Sequence, residues 1–149
     1  MIKILFVCHG NICRSPMAEF IMKDLVRRAG WEARFEIASA ATHYDELGSP
    51  VYPPARRTLA SHGISCPGHR ARLLTREDYG RWDYLIGMDN ANLKNMRRIL
   101  GGDPEGKLNL LLEHAGIHRD VADPWYTGDF ESTWNDILTG CTALLAQLP

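Results

Sequence analysis

The chain has no long apolar run, no excess of charge and little cysteine, and each shortage excludes something. No stretch of its 149 residues approaches the length of a membrane-spanning helix, so insertion into a bilayer is not expected. Seventeen Lys and Arg against eighteen Asp and Glu leave a net charge of −1. So weak a field gives no argument for nucleic acid or an anionic membrane as partner, and a bound anion would need a local positive potential. Four cysteines, at 8, 13, 66 and 141, are too few and too scattered for a secreted disulfide framework. None forms a Cys-x-x-Cys pair and no Cys/His ladder offers zinc its ligands, so no metal is expected. The first residues lack the apolar core and cleavage-like site of a signal peptide. The expected compartment is a reducing cytoplasm.

What the chain does have is an alternation of short apolar runs with longer amphipathic ones, in a length that suits one domain over 1–149. Ile2–Val7 is rich in β-branched and aromatic residues and too apolar to alternate, which predicts a strand buried on both faces. Met17, Phe20, Ile21 and Leu25 recur at helical spacing up to Gly30. Further strands are expected at Phe35–Ser39, Asp83–Met88 and Lys107–Leu111. Helices are expected at Ala55–His62 behind Pro53-Pro54, after a capping-box-like Thr75–Asp78, and around Leu93, Met96 and Leu100. A long apolar stripe from Phe130 through Trp134, Ile137, Cys141 and Leu144 to Leu148 predicts the last helix. Strands alternating with helices imply a parallel sheet covered on both faces, with ligands at the carboxyl ends of its strands.

The turn after the first strand reads Cys8-His9-Gly10-Asn11-Ile12-Cys13-Arg14-Ser15-Pro16. Taken alone, Cys-x5-Arg is a weak signal, and a buried cysteine beside turn residues is ordinary. Between a strand and a helix, each residue acquires a task. With Ser15 as N-cap and Pro16 as first helical residue, the amides of His9–Arg14 would curl into an anion cradle at the positive end of the helix. Gly10 allows close approach of the chain, and Arg14 supplies a planar fork for two phosphoryl oxygens. A thiol at the floor of such a cradle, Cys8, is set to react as a thiolate.

A thiolate attacking a phosphate ester needs an acid to protonate the leaving oxygen. Asp123-Pro124-Trp125-Tyr126, ahead of the last helix, offers one. Asp123 would serve as acid and then as base for the attacking water, and Trp125 and Tyr126 would wall the leaving-group side. Alone, the stretch reads as an Asp-Pro turn with exposed aromatics.

Together the two motifs resemble those of the low-molecular-weight protein tyrosine phosphatases. The likeness runs on through Ser39-Ala-Ala-Thr42, His62-Gly-Ile64, Ala71-Arg72, Glu77-Asp78-Tyr79 and Met88-Asp-Asn-Ala-Asn92. The resemblance implies an α/β, single-domain, three-layer, flavodoxin-like fold with a four-stranded parallel sheet. It implies metal-free, cofactor-free hydrolysis of phosphotyrosine-containing proteins through a phosphocysteine. By that match Cys8 is the nucleophile, Arg14 the phosphate binder and Asp123 the general acid. The amides from His9 to Ser15 hold the phosphoryl oxygens, and Ser15 donates to the Cys8 sulfur. Asn11 holds the loop through Ser39 and His69, and Cys13 is the partner of Cys8 in a reversible disulfide.

Departures from the family pattern fall at the pocket mouth. Trp125 stands where a tyrosine is common, His9 occupies a variable position, and Tyr44 is the expected far wall among His43, Tyr44 and Asp45. The basic run Arg70–Arg76 reads as a solvated face whose arginines, if near the rim, would meet acidic residues around a phosphotyrosine. Three rivals share the scaffold or the loop. An arsenate reductase would need a cysteine relay, and Cys66 has no partner a few residues on. A protein arginine phosphatase tends to carry threonine where this chain has Ile12. A phosphate-binding or thiol redox-sensing module would have no use for Asp123.

Overall fold

The computed structural model describes residues 1–148. Strand β1, Ile2–Cys8, runs through the middle of the molecule, and Ile4 to Cys8 are all buried. Its side chains alternate between two cores, as the strand period requires. Ile4, Phe6 and Cys8 join one core with helices α1 (Arg14–Arg28), α2 (Pro53–Ser61) and α6 (Phe130–Gln147). Leu5 and Val7 join the other, with α3 (Asp78–Arg81) and α4 (Asn90–Leu100). Burial on both faces explains why the sequence there is uniformly apolar.

Strands β2 (Phe35–Ala41), β3 (Tyr84–Gly87) and β4 (Leu108–Leu110) complete a four-stranded parallel sheet in the order β2-β1-β3-β4. This is the flavodoxin-like α/β architecture expected from the sequence. From β1 the chain passes first to β2 on one side and later to β3 on the other, so the order reverses beside β1. Cys8 pairs in register with Ala41, and Val7 with Gly87. The carboxyl ends of β1, β2 and β3 therefore share one rim of the sheet, where such a reversal opens a crevice.

The boundaries shift by a few residues. β2 continues past Ser39 to Ala41, and β3 and β4 are each shorter than their apolar runs. Helix α2 begins at Pro53, because prolines in its first turn have no N–H to leave unsatisfied. Thr75–Asp78 makes half of a capping box. Asp78 Oδ2 accepts from Thr75 N at 2.8 Å, but α3 starts only at Asp78 itself. Helix α5, Pro124–Thr127, replaces the loop expected around Trp125, capped by Asp123 and ended by Gly128.

Candidate active site

Cys8 closes β1 at the switch point, and the seven residues after it fold back over its sulfur into α1. Asn11 makes the turn possible at φ 58°, the left-handed region that asparagine tolerates better than other non-glycine residues. The helix starts two residues earlier than expected, at Arg14, and Ser15 is not its N-cap. The cap position falls to Cys13, which makes no side-chain cap bond. The Ser15 hydroxyl is instead 3.0 Å from Cys8 Sγ, and it accepts from Asn11 Nδ2 at 2.8 Å. Ser15 N adds a longer bond to the same sulfur, at 3.4 Å. A thiolate only accepts, so in that state the Ser15 hydroxyl is its donor.

Behind the loop lies a chain of polar groups that fixes its shape. Asn11 Nδ2 also donates to Ser39 Oγ at 2.9 Å, and Ser39 donates to Glu19 Oε1 at 2.6 Å. His69 Nε2 bonds the Asn11 carbonyl at 2.8 Å, and its Nδ1 lies 4.0 Å from Glu19. Arg72 N donates to Asn11 Oδ1 at 3.1 Å. Asn11 thus has its side chain and its carbonyl engaged while fully buried, which leaves the turn no low-cost alternative.

Arg14 folds inward with its side chain only 3% exposed. Its Nη1 donates to Asp89 Oδ2 and to the Val121 carbonyl, each at 2.8 Å, and its Nη2 reaches Asp123 Oδ2 at 3.5 Å. Burial works against its charge, but Cys8, Asp89 and Asp123 outweigh that cost and hold its pKa above the ordinary value. Asp123 is placed by its own helix end. It caps α5, with Oδ1 accepting from Trp125 N at 3.0 Å, and turns Oδ2 toward the guanidinium.

These groups surround a cavity of about 380 Å³ whose lining includes Cys8, Arg14, Asp123, Ile12, Trp125 and Tyr126. Trp125 leans on Tyr52 at 4.9 Å between ring centroids, which steadies the aromatic side of the mouth. Opposite, His9 stacks on His43 at 4.0 Å, and its Nε2 meets Asp45 Oδ2 at 2.9 Å. The far wall differs from expectation. Tyr44 is largely exposed and does not line the cavity; Asp45 and Glu46 do. The arginines of the basic run do not line it either, and Arg72 is held by both oxygens of Asp78 at 3.2 Å. Cys13 and Gly10 belong to the lining, and burial pushes the Cys13 thiol up to about 12. Cys66 lies at a separate cavity, and Cys141 is sealed in the core on the inner face of α6.

Sequence reasoning missed Asp89, Glu19 and Arg72. A signal for Asp89 was available: Asp89 and Asn92 form a reciprocal capping box at the end of β3, on the same rim as Cys8. Glu19 lies four residues after Ser15, one turn along the same helix.

Comparison with known proteins gives the chain its family. The family model for low molecular weight phosphotyrosine protein phosphatase matches residues 3–149. The chain is 39% identical to the low molecular weight protein-tyrosine-phosphatase YfkJ of Bacillus subtilis, over 99% of this chain and 96% of that one. The crystal structure of YfkJ superimposes with a TM-score of 0.95 at 40% identity, covering 98% and 93% of the two chains. A low molecular weight phosphotyrosine protein phosphatase of Schizosaccharomyces pombe is 41% identical over 85% of this chain and 83% of its own. Structural likeness extends to a Drosophila arginine phosphatase, at 31% identity and a TM-score of 0.87 over 98% and 96% of the chains. With the matches spanning the sheet, the Cys8 loop and the Asp123 helix alike, the chain belongs to the low molecular weight phosphotyrosine protein phosphatase family.

Proposed function

We propose that the chain hydrolyses phosphotyrosine in proteins by two displacements at phosphorus. The observation that carries the reading is the convergence of Cys8 Sγ, Arg14 and Asp123 on one cavity, with Arg14 bonded to Asp123 and Ser15 bonded to the sulfur. In the first step the Cys8 thiolate attacks phosphorus and the bond to the tyrosine oxygen breaks. Asp123, as the carboxylic acid, gives its proton to the departing phenolate. In the second step water attacks the phosphocysteine, the Asp123 carboxylate takes a proton from it, and the sulfur–phosphorus bond breaks to restore the thiolate. Ser15 donates to the departing sulfur.

Arg14 and the amides of residues 9–15 carry the charge that develops on the phosphoryl oxygens. Asp89 and Val121 hold Arg14 in the cradle beforehand, so little reorganisation accompanies the reaction. No step draws on a metal, and the described residues include no group of His, Cys, Asp or Glu suited to hold one.

Ile12 in the cavity lining favours an aryl ester over phosphoarginine, because an apolar side chain there offers a guanidinium no hydroxyl. Trp125 and Tyr126 supply the stacking wall such an ester would use. Cys13 acts as reserve partner of Cys8. When a peroxide oxidises Cys8 to the sulfenic acid, the Cys13 thiol condenses with it, water leaves, and a reducible disulfide replaces irreversible oxidation. Four free thiols support a reducing cytoplasm as the working compartment, and no described helix is long and apolar enough to cross a membrane.

The test is metal-free turnover of phosphotyrosine, phosphoserine and phosphoarginine peptides with reductant present. Selective phosphotyrosine hydrolysis is expected, abolished in Cys8→Ser and reduced about a hundredfold or more in Asp123→Ala. Preference for phosphoarginine would reassign the substrate, and phosphate binding without turnover would make the site a binding module.

A further inference from the structure

The phosphate cradle is cationic but its doorway is not. Six acidic, basic or imidazole side chains line the cavity: Arg14, His9, Asp45, Glu46, Asp89 and Asp123. No lysine and no arginine other than Arg14 is among the lining residues. Asp89 and Asp123 are committed to Arg14 inside the cradle, at 2.8 and 3.5 Å. The charge that an approaching peptide meets is therefore set by the loop after β2, where Asp45 and Glu46 stand side by side.

Neither carboxylate pairs with a lysine or an arginine among the described residues. Asp45 pairs with His9 at 2.9 Å and also acts on His43, the ring stacked on His9, and the side chains of Asp45 and His9 are more than half exposed, so the pair is open to solvent and competition. Glu46 Oε2 accepts from Ser49 Oγ at 3.1 Å, and Glu46 has no ion-pair partner among the described residues. Its Cγ lies 3.7 Å from where a side chain on Gly10 would begin, so Glu46 leans over the phosphate loop itself. Across the cavity the lining of α4 is uncharged, Ala91, Asn92 and Asn95. Arg98 stands further along that helix, tied to Asn95 Oδ1 at 3.2 Å and outside the lining.

We propose that Asp45 and Glu46 select phosphotyrosines flanked by lysine or arginine and disfavour those flanked by acidic residues. The proposal rests on the phosphotyrosine reading above and goes beyond it by naming the sequence context of the substrate. The phosphoryl group is drawn in by Arg14 and the loop amides, and the neighbouring side chains are sorted by the two carboxylates at the mouth. Each is a solvent-exposed or half-buried interaction, so the discrimination is moderate and weakens with salt.

The experiment compares kcat/KM for three phosphotyrosine peptides that differ only in flanking Lys, Gln or Glu, each divided by the rate on phenyl phosphate. The Lys peptide is expected to exceed the Glu peptide by roughly five- to tenfold at low salt, the Gln peptide falling between. High salt and the double variant Asp45→Asn with Glu46→Gln should each compress that ratio toward one. Charge reversal at both positions, Asp45→Lys with Glu46→Lys, should invert the order. Equal rates for the three peptides, a faster Glu peptide, or a ratio unmoved in the variants would overturn the proposal while leaving phosphotyrosine hydrolysis intact. Failure to turn over phenyl phosphate and every phosphotyrosine peptide would instead remove the reading beneath it.

Discussion

Asp89 holds Arg14 with one carboxylate oxygen and caps helix α4 with the other. Oδ2 accepts from Arg14 Nη1 at 2.8 Å, and Oδ1 accepts from Asn92 N at 2.7 Å. One side chain thus ties the cradle on α1 to the helix after β3, across 75 residues of sequence. Because both bonds come from a residue fixed at a helix end, the guanidinium is positioned by the scaffold rather than by the loop alone.

Asp89→Asn should therefore separate positioning from folding. The amide keeps the size and capping capacity of the side chain but gives up the ion pair. The expected result is a fall in kcat of about ten- to a hundredfold, with KM changing much less, because the guanidinium is still present but no longer aimed. Asp89→Ala should add a stability loss of about 1 kcal/mol from the lost cap, read by urea unfolding.

Ser15→Ala should reveal which step uses the serine. Its hydroxyl is the donor nearest Cys8 Sγ, and it matters most when sulfur leaves as a thiolate. A hydrogen bond to a charged group is worth about 1.5–3 kcal/mol, so breakdown of the phosphocysteine should slow roughly ten- to a hundredfold. With 4-nitrophenyl phosphate, stopped-flow should show a burst of nitrophenolate followed by a slow steady state. A single slow phase without a burst would place the serine in the first step.

The strand ending at Cys8 and the turn from it into α1 were legible because they are local: a buried run, a turn and a helix start within a few residues of one another. What escaped depends on where the chain returns. Ser15 has the residue type and place of an N-cap, yet its hydroxyl is worth more on the buried sulfur, and helix α1 starts without a side-chain cap. Asp89 reads locally as a cap, and its second oxygen meets Arg14 only after the sheet brings β1 and β3 together. Tyr44 was the natural choice for an aromatic wall, but the loop after β2 turns it to solvent and presents Asp45 and Glu46 instead. The basic run was read as a solvated face, and Arg72 within it is spent on Asp78 and Asn11.

That pair at Asp78 gives the protein an acid-sensitive tie. Burial works against the Asp78 charge, but bonds from Arg72 and Thr75 more than offset it and hold the pKa below its ordinary value of 3.8. A carboxylate depressed in this way contributes stability that is fully present above the unfolded value and lost as pH falls through the folded one. Asp78→Asn should thus be less stable than wild type at neutral pH, by about 1–3 kcal/mol. The difference should shrink as the pH drops below about 4, a comparison thermal unfolding across that range would make.

At Gly140, α6 packs tightly against Leu111 in the chain after β4. A methyl group added there would lie 2.5 Å from Leu111 Cγ, and Leu111 is fully buried. Alanine favours a helix over glycine by about 1 kcal/mol, but overpacking a close-packed contact costs about 1–3 kcal/mol. Gly140→Ala should lower the urea midpoint. Combining it with Leu111→Ala should cost less than the two changes summed, since the second makes room for the first.

On the proposed mechanism, phosphate passes through the sulfur of Cys8. Asp123→Ala mixed with 4-nitrophenyl phosphate, quenched in acid and digested, tests it directly. A good leaving group needs little protonation, so the first step persists while hydrolysis, deprived of its base, is slow. Mass spectrometry should find a phosphoryl group on Cys8, absent when Cys8→Ala is combined with the same change. Turnover in Cys8→Ala, or rapid nitrophenolate release with phosphate on another residue or on none, would contradict the account.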